Sequence, residues 1–515
     1  MTIPYTLKSR AVFWLCMLLL PPLGIIILWM KRDSRVAAKV AGSLLAILLV
    51  VLHLVLFWNL RVELNGGITH PYFSFRNSKR HDEEIEKLRL ESRSIDASGQ
   101  QAPAAEQPLP EQAAAPGSKT QPKPQLQLES SSAYWTEFRG PGRTGIYTET
   151  EIATEWPAGK LPQLWKRPVG GGYASVVVAN GTVFTIEQRR HKEVVAAYDL
   201  NSGREKWIHG WEAEFREPLG GDGPRATPAW HDGRIYALGA TGEFRCLDAR
   251  SGKLIWSRNI LTENQAEIPQ YGVVGSPLIV DDKVIVIPGG PGGKSVVAYD
   301  RLTGNPIWKS LDDRPSNISP QLVTIGGLRQ IMIVSKRRVA GLSIDDGAIL
   351  WEFPWTFQNA RAAQPILTGD NRFFISAGYG YGAALVEVFT KEDSSETRTI
   401  WANTRMKNKF GSSVLHKGFI YGFDEAILAC MDASTGELKW KGGRYGYGQL
   451  LLASGHLIIS SENGEVALVK ANPEKYEELG RFQAINGKTW NVPAIADGRL
   501  IVRNAFEMAC FRIAK

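Results

Sequence analysis

The stretch Cys430–Trp440, C-M-D-A-S-T-G-E-L-K-W, keeps recurring along this chain. Ala197–Trp207, Cys246–Trp256, Ala298–Trp308 and Gly341–Trp351 share its outline: a small residue, then an Asp (Ser343 in the fourth copy), a three-residue polar tip, Gly, and Trp four positions later. Such a unit reads as two strands joined by a tight turn. The Asp caps the turn through backbone N–H groups, and Gly takes the positive φ that a side chain resists. The Trp then lies on the outgoing strand as an apolar plate of about 150–250 Å². One copy would fit any hairpin; five at regular spacing require a repeat architecture.

Trp165, Trp207, Trp256, Trp308, Trp351, Trp401 and Trp440 stand 39 to 52 residues apart, and they read as structural docking plates between repeats. Between them runs a second hairpin with D-G, N-G or similar turns. Its copies are Ser175–Phe184, Thr227–Leu238, Ser276–Ile287, Ser319–Val334, Gln364–Ile375, Ser413–Tyr421, Leu451–Ile459 and Val492–Val502. Four strands per repeat is the β-propeller pattern, and eight inner hairpins predict eight blades, with seven as the alternative. The last copy, Val492–Arg512, lacks a fourth strand. Leu164–Pro168, carrying Trp165, can supply it and close the ring without exposed edges.

At 515 residues the chain is too long for one ordinary core. Its 51 Gly and 16 Trp and its short β-rich runs favour an all-β class. The net charge of +8 is unevenly placed. Residues 1–97 carry 13 Lys/Arg against 8 Asp/Glu, and residues 98–134 carry 2 against 3. Only +4 remains for the other 381 residues, a mixed solvated surface and not a nucleic-acid field. The four cysteines form no C-x-x-C, vicinal pair or metal spacing. Cys246 and Cys430 occupy the repeat's small-residue slot, as buried thiols do.

Residues 11–30 are apolar and long enough for a bilayer, and residues 36–58 follow after Lys31, Arg32 and Arg35. A cleaved signal peptide is weakened by the length and by the lack of a small-x-small site, so residues 1–59 read as a transmembrane hairpin. Four positive charges within residues 31–39 place that loop in the cytoplasm and the large C-terminal part outside it. Residues 60–97 are a polar juxtamembrane segment with a charged piece around Arg80–Arg93. Residues 98–134, rich in Pro, Ala and Gln, read as a disordered tether, and 135–515 as the propeller.

The [AC]-x-D-x-x-[ST]-G-x-x-x-W copies are similar to the tryptophan-docking repeats of the quinoprotein (PQQ-like) β-propeller family, over roughly residues 135–515. The lead-in Trp135–Gly145, W-T-E-F-R-G-P-G-R-T-G, resembles that of membrane-anchored bacterial members. The resemblance implies two kinds of function: quinone-dependent alcohol and glucose dehydrogenases, or non-catalytic relatives such as the scaffold lipoprotein of the outer-membrane protein assembly machinery. In either, ligands meet the chain where it leads into each innermost strand, around the central channel. A PQQ enzyme needs a divalent cation there, normally Ca²⁺, and an Asp or Glu base; many stack the quinone on a vicinal disulfide.

The corresponding stretches here supply the cations Arg225, Arg361 and Lys409, the amides Asn317, Gln364 and Asn491, and the aromatics Tyr173, Tyr271, Tyr447 and Trp490. They hold no carboxylate. Asp222, Glu263 and Glu267 lie nearby at no consistent position, which disfavours Ca²⁺ and PQQ, so no catalytic, cofactor or metal residue is assigned. The mouth suits an anionic ligand or an acidic or extended peptide. The same residues would also line a wet channel with no ligand. Eight scattered histidines give no zinc motif, and Gly289–Gly293 lacks the Lys-Ser/Thr of a phosphate loop. The expectation is a monomeric, non-catalytic propeller that binds other envelope proteins or peptides, anchored in the inner membrane with the propeller on the periplasmic side. A PQQ-dependent membrane dehydrogenase is the alternative, and it requires the loop carboxylates to converge. A ligand sensor is a third option, but no output domain accompanies it.

Overall fold

Each repeat folds into one four-stranded antiparallel sheet, and eight such sheets close a ring, so the count is eight and not seven. The computed structural model describes residues 18, 20–30, 36–64, 71–75, 78–99 and 133–515, the last stretch apart from 219, 357–358, 360 and 392–393. Blades 1 to 7 cover 177–212, 229–259, 278–310, 321–354, 366–403, 414–444 and 449–483. Blade 8 takes three strands from 494–512 and its fourth from Gln163–Pro168, the expected closure.

The recurring turn is built as its residues dictate. In blade 6 the Asp432 carboxylate accepts from the backbone N–H groups of Ser434 and Thr435, at 2.9 and 3.0 Å. Gly436 sits at φ 73°, where only glycine is unstrained. The small residue and the Trp pair across the two outer strands: Ala197 with Trp207, Cys246 with Trp256, Ala298 with Trp308, Gly341 with Trp351, Cys430 with Trp440 and Cys510 with Trp165. A narrow residue opposite the indole lets its plate lie flat against the next blade. Burial pushes the thiols of Cys246, Cys430 and Cys510 up to about 12, so all three stay protonated at neutral pH.

The plates join the blades by a repeated bond. The indole N–H groups of Trp165, Trp207, Trp256, Trp308, Trp401 and Trp440 donate to carbonyls of the following blade, at 2.7–3.1 Å. Trp351 differs. Blade 5 has a long outer hairpin, Gly382–Lys391 with Ser394–Asn403, in place of the Asp-to-Gly tip. Trp351 therefore stacks on Phe373 of blade 5 at 5.5 Å, and its N–H turns back to Gln330 Oε1 of its own blade at 2.5 Å. Blade 7 carries Gly480 where other blades carry Trp. Trp156, from the segment preceding the ring, packs over that glycine and edge-on to Phe482.

Contacts divide the chain at Ser78/Lys79. In the first unit the helices Pro21–Met30 and Val36–Asn59 pack together, with the Trp29 indole donating to Ser43 Oγ at 3.0 Å. Only Val36–Asn59 is described as a helix long and apolar enough to cross a membrane, at about 36 Å. Part of the first expected span, 11–17 and 19, and the loop 31–35 lie outside the described residues, as does nearly all of the expected tether. Leu60–Leu64 pairs with Pro71–Phe75 in a hairpin. In the second unit, the helix Ser78–Gly99 rests on the seam between blades 8 and 1. Ile85 is buried there, Arg89 pairs with Glu205 at 3.5 Å, and a His81 ring nitrogen lies 2.8 Å from Val169 O.

Candidate functional site

The stretches leading into the innermost strands form two layers around the channel. The inner layer is a belt of side chain to backbone bonds. Ser175 N donates to Thr227 Oγ1, Thr227 N to Ser276 Oγ, and Ser276 N to Ser319 Oγ, each at 2.9 Å. Ser319 N then donates to Gln364 Oε1 and Gln364 N to Ser412 Oγ. Gln449 Nε2 reaches Trp490 O at 2.9 Å, and Asn491 Nδ2 returns to Ala174 O at 2.8 Å. Two of the predicted mouth amides, Gln364 and Asn491, are thus buried, and their bonds hold blades together. Arg361 is also buried, donating to the carbonyls of Ser335, Trp355 and Lys336 at 2.6–2.8 Å.

The outer layer is aromatic. Tyr173 contacts Trp490 with ring centroids 5.5 Å apart, Trp490 contacts Phe410 at 4.6 Å, and Phe410 contacts Tyr447 at 5.7 Å. Cations lie over this arc. Lys409 Nζ is 4.3 Å from the Tyr447 centroid and 4.5 Å from that of Tyr379, and Lys488 Nζ is 4.4 Å from Trp490. Arg225 lies over Tyr173 and Phe215 and donates to the carbonyls of Gly221 and Gly223. Burial, and then the nearby Tyr271, Tyr447 and Glu425, push the Tyr379 hydroxyl up to about 12. Burial lowers Lys409, while Glu425 and Glu462 oppose that shift. Asn317 and Tyr271 lie farther round, beside a cleft of about 740 Å³ that Arg361 and Tyr379 also line.

Three mouth residues escaped the sequence reading: Phe410, Lys488 and Glu462. Glu462 matters most, because a carboxylate was not expected there. It is buried, accepting from the Trp490 indole N–H at 2.9 Å and from Tyr447 N at 3.2 Å. It comes from the hairpin turn after the second strand of blade 7, which spacing alone does not bring to the mouth. Lys488 and Phe410 were legible as neighbours of Trp490 and Lys409.

The opposite part of the channel is filled by the lead-in. Val178 N of blade 1 donates to Trp135 O, and Trp230 N of blade 2 to Thr136 O, both at 2.8 Å. Arg143, buried, donates to the carbonyls of Ser276, Pro277 and Pro320 from blades 3 and 4, at 2.5–3.2 Å, and pairs with Glu137 at 3.0 Å. Arg139 reaches Ser413 O of blade 6. Ile146–Tyr147 pairs in parallel with blade 7, and Ile152 bridges Ala514 beyond blade 8. The W-T-E-F-R-G-P-G-R-T-G motif is a plug.

Calcium-bound PQQ needs several carboxylate or amide oxygens converging on one point. Among the described residues, no three His, Cys, Asp or Glu side chains stand close enough to share an ion. Glu462 is engaged by Trp490 and Tyr447 and the Gln364 amide by the belt, while Asn491 gives its Nδ2 to the belt and keeps Oδ1 buried with no hydrogen-bond partner. Cys246, Cys430 and Cys510 are single thiols in three different blades.

Comparisons with known proteins agree with the architecture. The family model described as "Outer membrane protein assembly factor BamB" matches residues 191–442. BamB of Moranella endobia is 21% identical over 259 residues, 47% of this chain and 64% of that protein. Quinohemoprotein alcohol dehydrogenase ADH IIB of Pseudomonas putida is 34% identical over 121 residues, 22% of this chain and 17% of that enzyme, so the chain spans only a small part of such relatives. Among solved structures, BamB from Moraxella catarrhalis superposes with a TM-score of 0.50 at 16% identity, covering 68% of this chain and 98% of that one. A europium-containing methanol dehydrogenase does so with 0.52 at 15% identity, covering 73% and 90%. At such identities the likeness speaks for the fold. The ring has the quinoprotein-like propeller fold, similar both to an outer-membrane protein assembly factor and to dehydrogenases.

Proposed function

We propose that this quinoprotein-like propeller is a non-catalytic binding module of the bacterial cell envelope. Anchored in the inner membrane by its apolar N-terminal segment, it holds an extended segment of a partner protein at the channel mouth. The observation that carries this reading is the aromatic arc Tyr173–Trp490–Phe410–Tyr447 with Lys409 and Lys488 over its rings. Tyr, Trp and cation-capped rings are the side chains on which protein interfaces concentrate their binding energy. The plug supports the same reading, since it leaves the mouth a shallow platform and not a through-channel. Similarity to an assembly factor of outer-membrane proteins agrees with a protein partner.

The test is a photo-crosslinking amino acid at position 379 of the full chain in cells, with exposed Leu328 as control. Discrete adducts at 379 and none at 328 support the platform. No adduct at 379 overturns it.

The short dehydrogenase matches favour a second reading, a PQQ-dependent dehydrogenase. Titrating the purified chain with PQQ, with and without Ca²⁺, distinguishes the two. Saturable, Ca²⁺-dependent quenching of tryptophan fluorescence would establish the enzyme; its absence leaves the binding module.

A further inference from the structure

The plug is not seated evenly. Its hydrogen bonds and strand pairing reach blades 1, 2, 3, 4, 6 and 7 and the end of blade 8, and among the described residues none reaches blade 5. On that side lies a cavity of about 460 Å³. Its walls carry apolar side chains from the plug and three blades, Ile146, Leu322, Ile366, Leu367 and Leu415, beside polar ones such as Thr144, Gln321 and Thr324. Arg329, more than half exposed, marks where it meets solvent.

Arg139 also lines this cavity, and it is 1% exposed. Its Nη2 donates to Ser413 O at 3.2 Å and to Thr144 O at 3.4 Å. Its Nε and Nη1 are buried with no protein acceptor. No carboxylate compensates the charge: burial alone lowers its pKa to about 10, so the guanidinium stays charged at neutral pH. The neighbouring Arg143 has Glu137 and three carbonyls; Arg139 has no such set. A buried cation with two unspent donors is costly unless an anion meets it.

We propose that this cavity binds an organic carboxylate with a short apolar tail. One carboxylate oxygen meets Arg139 Nη1 in a charge-assisted hydrogen bond, on the side of the guanidinium away from the Nε–Nη2 edge that faces Gly145. The tail lies between the innermost strands of blades 4 and 5. The volume is in the range of small-molecule sites, roughly 300–1,000 Å³. A halide would satisfy the charge but leave the apolar walls unused. A phosphate dianion would bring more charge than Arg139 answers, since Arg143 is paired with Glu137 and Arg329 with Asp281, and would bury it against leucines.

The probe is phenylacetate against its neutral isostere phenylacetamide, titrated calorimetrically into the full chain in lipid nanodiscs. Two variants accompany it: Arg139→Gln removes the charge, and Leu367→Trp fills the cavity while leaving Arg139 in place. The expected result is saturable phenylacetate binding, at least roughly tenfold weaker for the amide, and lost in both variants. Equal binding of acid and amide, no binding of either, or undiminished binding in a folded Arg139→Gln protein overturns the site. Should Arg139→Gln fail to fold, the acid–amide comparison and Leu367→Trp decide: loss in Leu367→Trp supports the site, and retention there overturns it.

Discussion

Trp165 and Cys510 face each other across the seam that closes the ring, and the Trp165 indole N–H donates to Leu200 O of blade 1 at 2.9 Å. One side chain therefore ties the last blade to the strand that completes it and to the first blade. Trp165→Ala removes a buried plate and a cross-blade bond, at a cost of about 3–5 kcal/mol. Denaturant unfolding followed by circular dichroism should show that loss. Because the seam is where the ring opens, the variant should also become sensitive to proteolysis near residues 160–170. A loss below about 1 kcal/mol would mean that the ring does not depend on this closure.

The docking glycines can be separated from ordinary turn glycines within one blade. Gly252 and Gly233 both have positive φ, 71° and 72°. A Cβ on Gly252 would come 2.5 Å from the Trp207 ring, whereas one on Gly233 would meet nothing within 4 Å. Gly233→Ala should cost only the backbone strain, about 1–2 kcal/mol. Gly252→Ala adds displacement of the plate, about 1–3 kcal/mol more. Equal destabilisation of the two variants would show that the plates do not rest on these turns.

How far the sequence reveals this architecture depends on which residues repeat. The blades, the plates and the closing strand follow from the Asp, Gly and Trp pattern, because each of those residues has one local task that its type makes visible. The departures lie where a task passes to a residue outside the pattern. Trp351 turns to Gln330 because blade 5 has no tip to receive it, and Trp156 covers Gly480 from some 320 residues away in sequence. At the mouth, side-chain type was legible and burial was not. Gln364 and Asn491 are polar in any reading, and only the ring geometry sets them to joining blades. The plug has neither period 2 nor period 3.6, so nothing in Trp135–Gly145 announces that its two arginines end inside a channel.

A buried carboxyl on blade 1 predicts a pH dependence. Glu193 is fully buried, accepting from Trp211 Nε1 at 3.2 Å and Ala240 N at 2.7 Å. Burial outweighs these bonds and raises it from 4.5 to about 7. With the folded value above the unfolded one, its contribution is fully present below about pH 4.5. It is lost as pH rises towards 7, by on the order of 3 kcal/mol. Glu193→Gln lacks this titration. The stability difference between wild type and variant, from urea unfolding at several pH values, should fall for wild type across that window. A difference independent of pH would place the carboxyl in a wetter setting.

The plug should be an integral part of the ring and not a removable cork. Arg143 donates to carbonyls at the start of the innermost strands of blades 3 and 4, where the backbone has no ladder partner. Replacing it with Met keeps the stem's apolar contacts but leaves those carbonyls and Glu137 without their donor. Each buried unsatisfied group costs about 1–3 kcal/mol, so Arg143→Met should lose on the order of 3–5 kcal/mol, as breaking a buried ion pair does. Glu137→Gln keeps an acceptor for Arg143 Nε and should cost less. Hydrogen exchange locates the effect: Arg143→Met should lose protection at residues 278–280 and 321–325 before the outer strands respond. Loss confined to residues 135–147 would instead describe a plug that unfolds by itself, with the ring intact around an open channel.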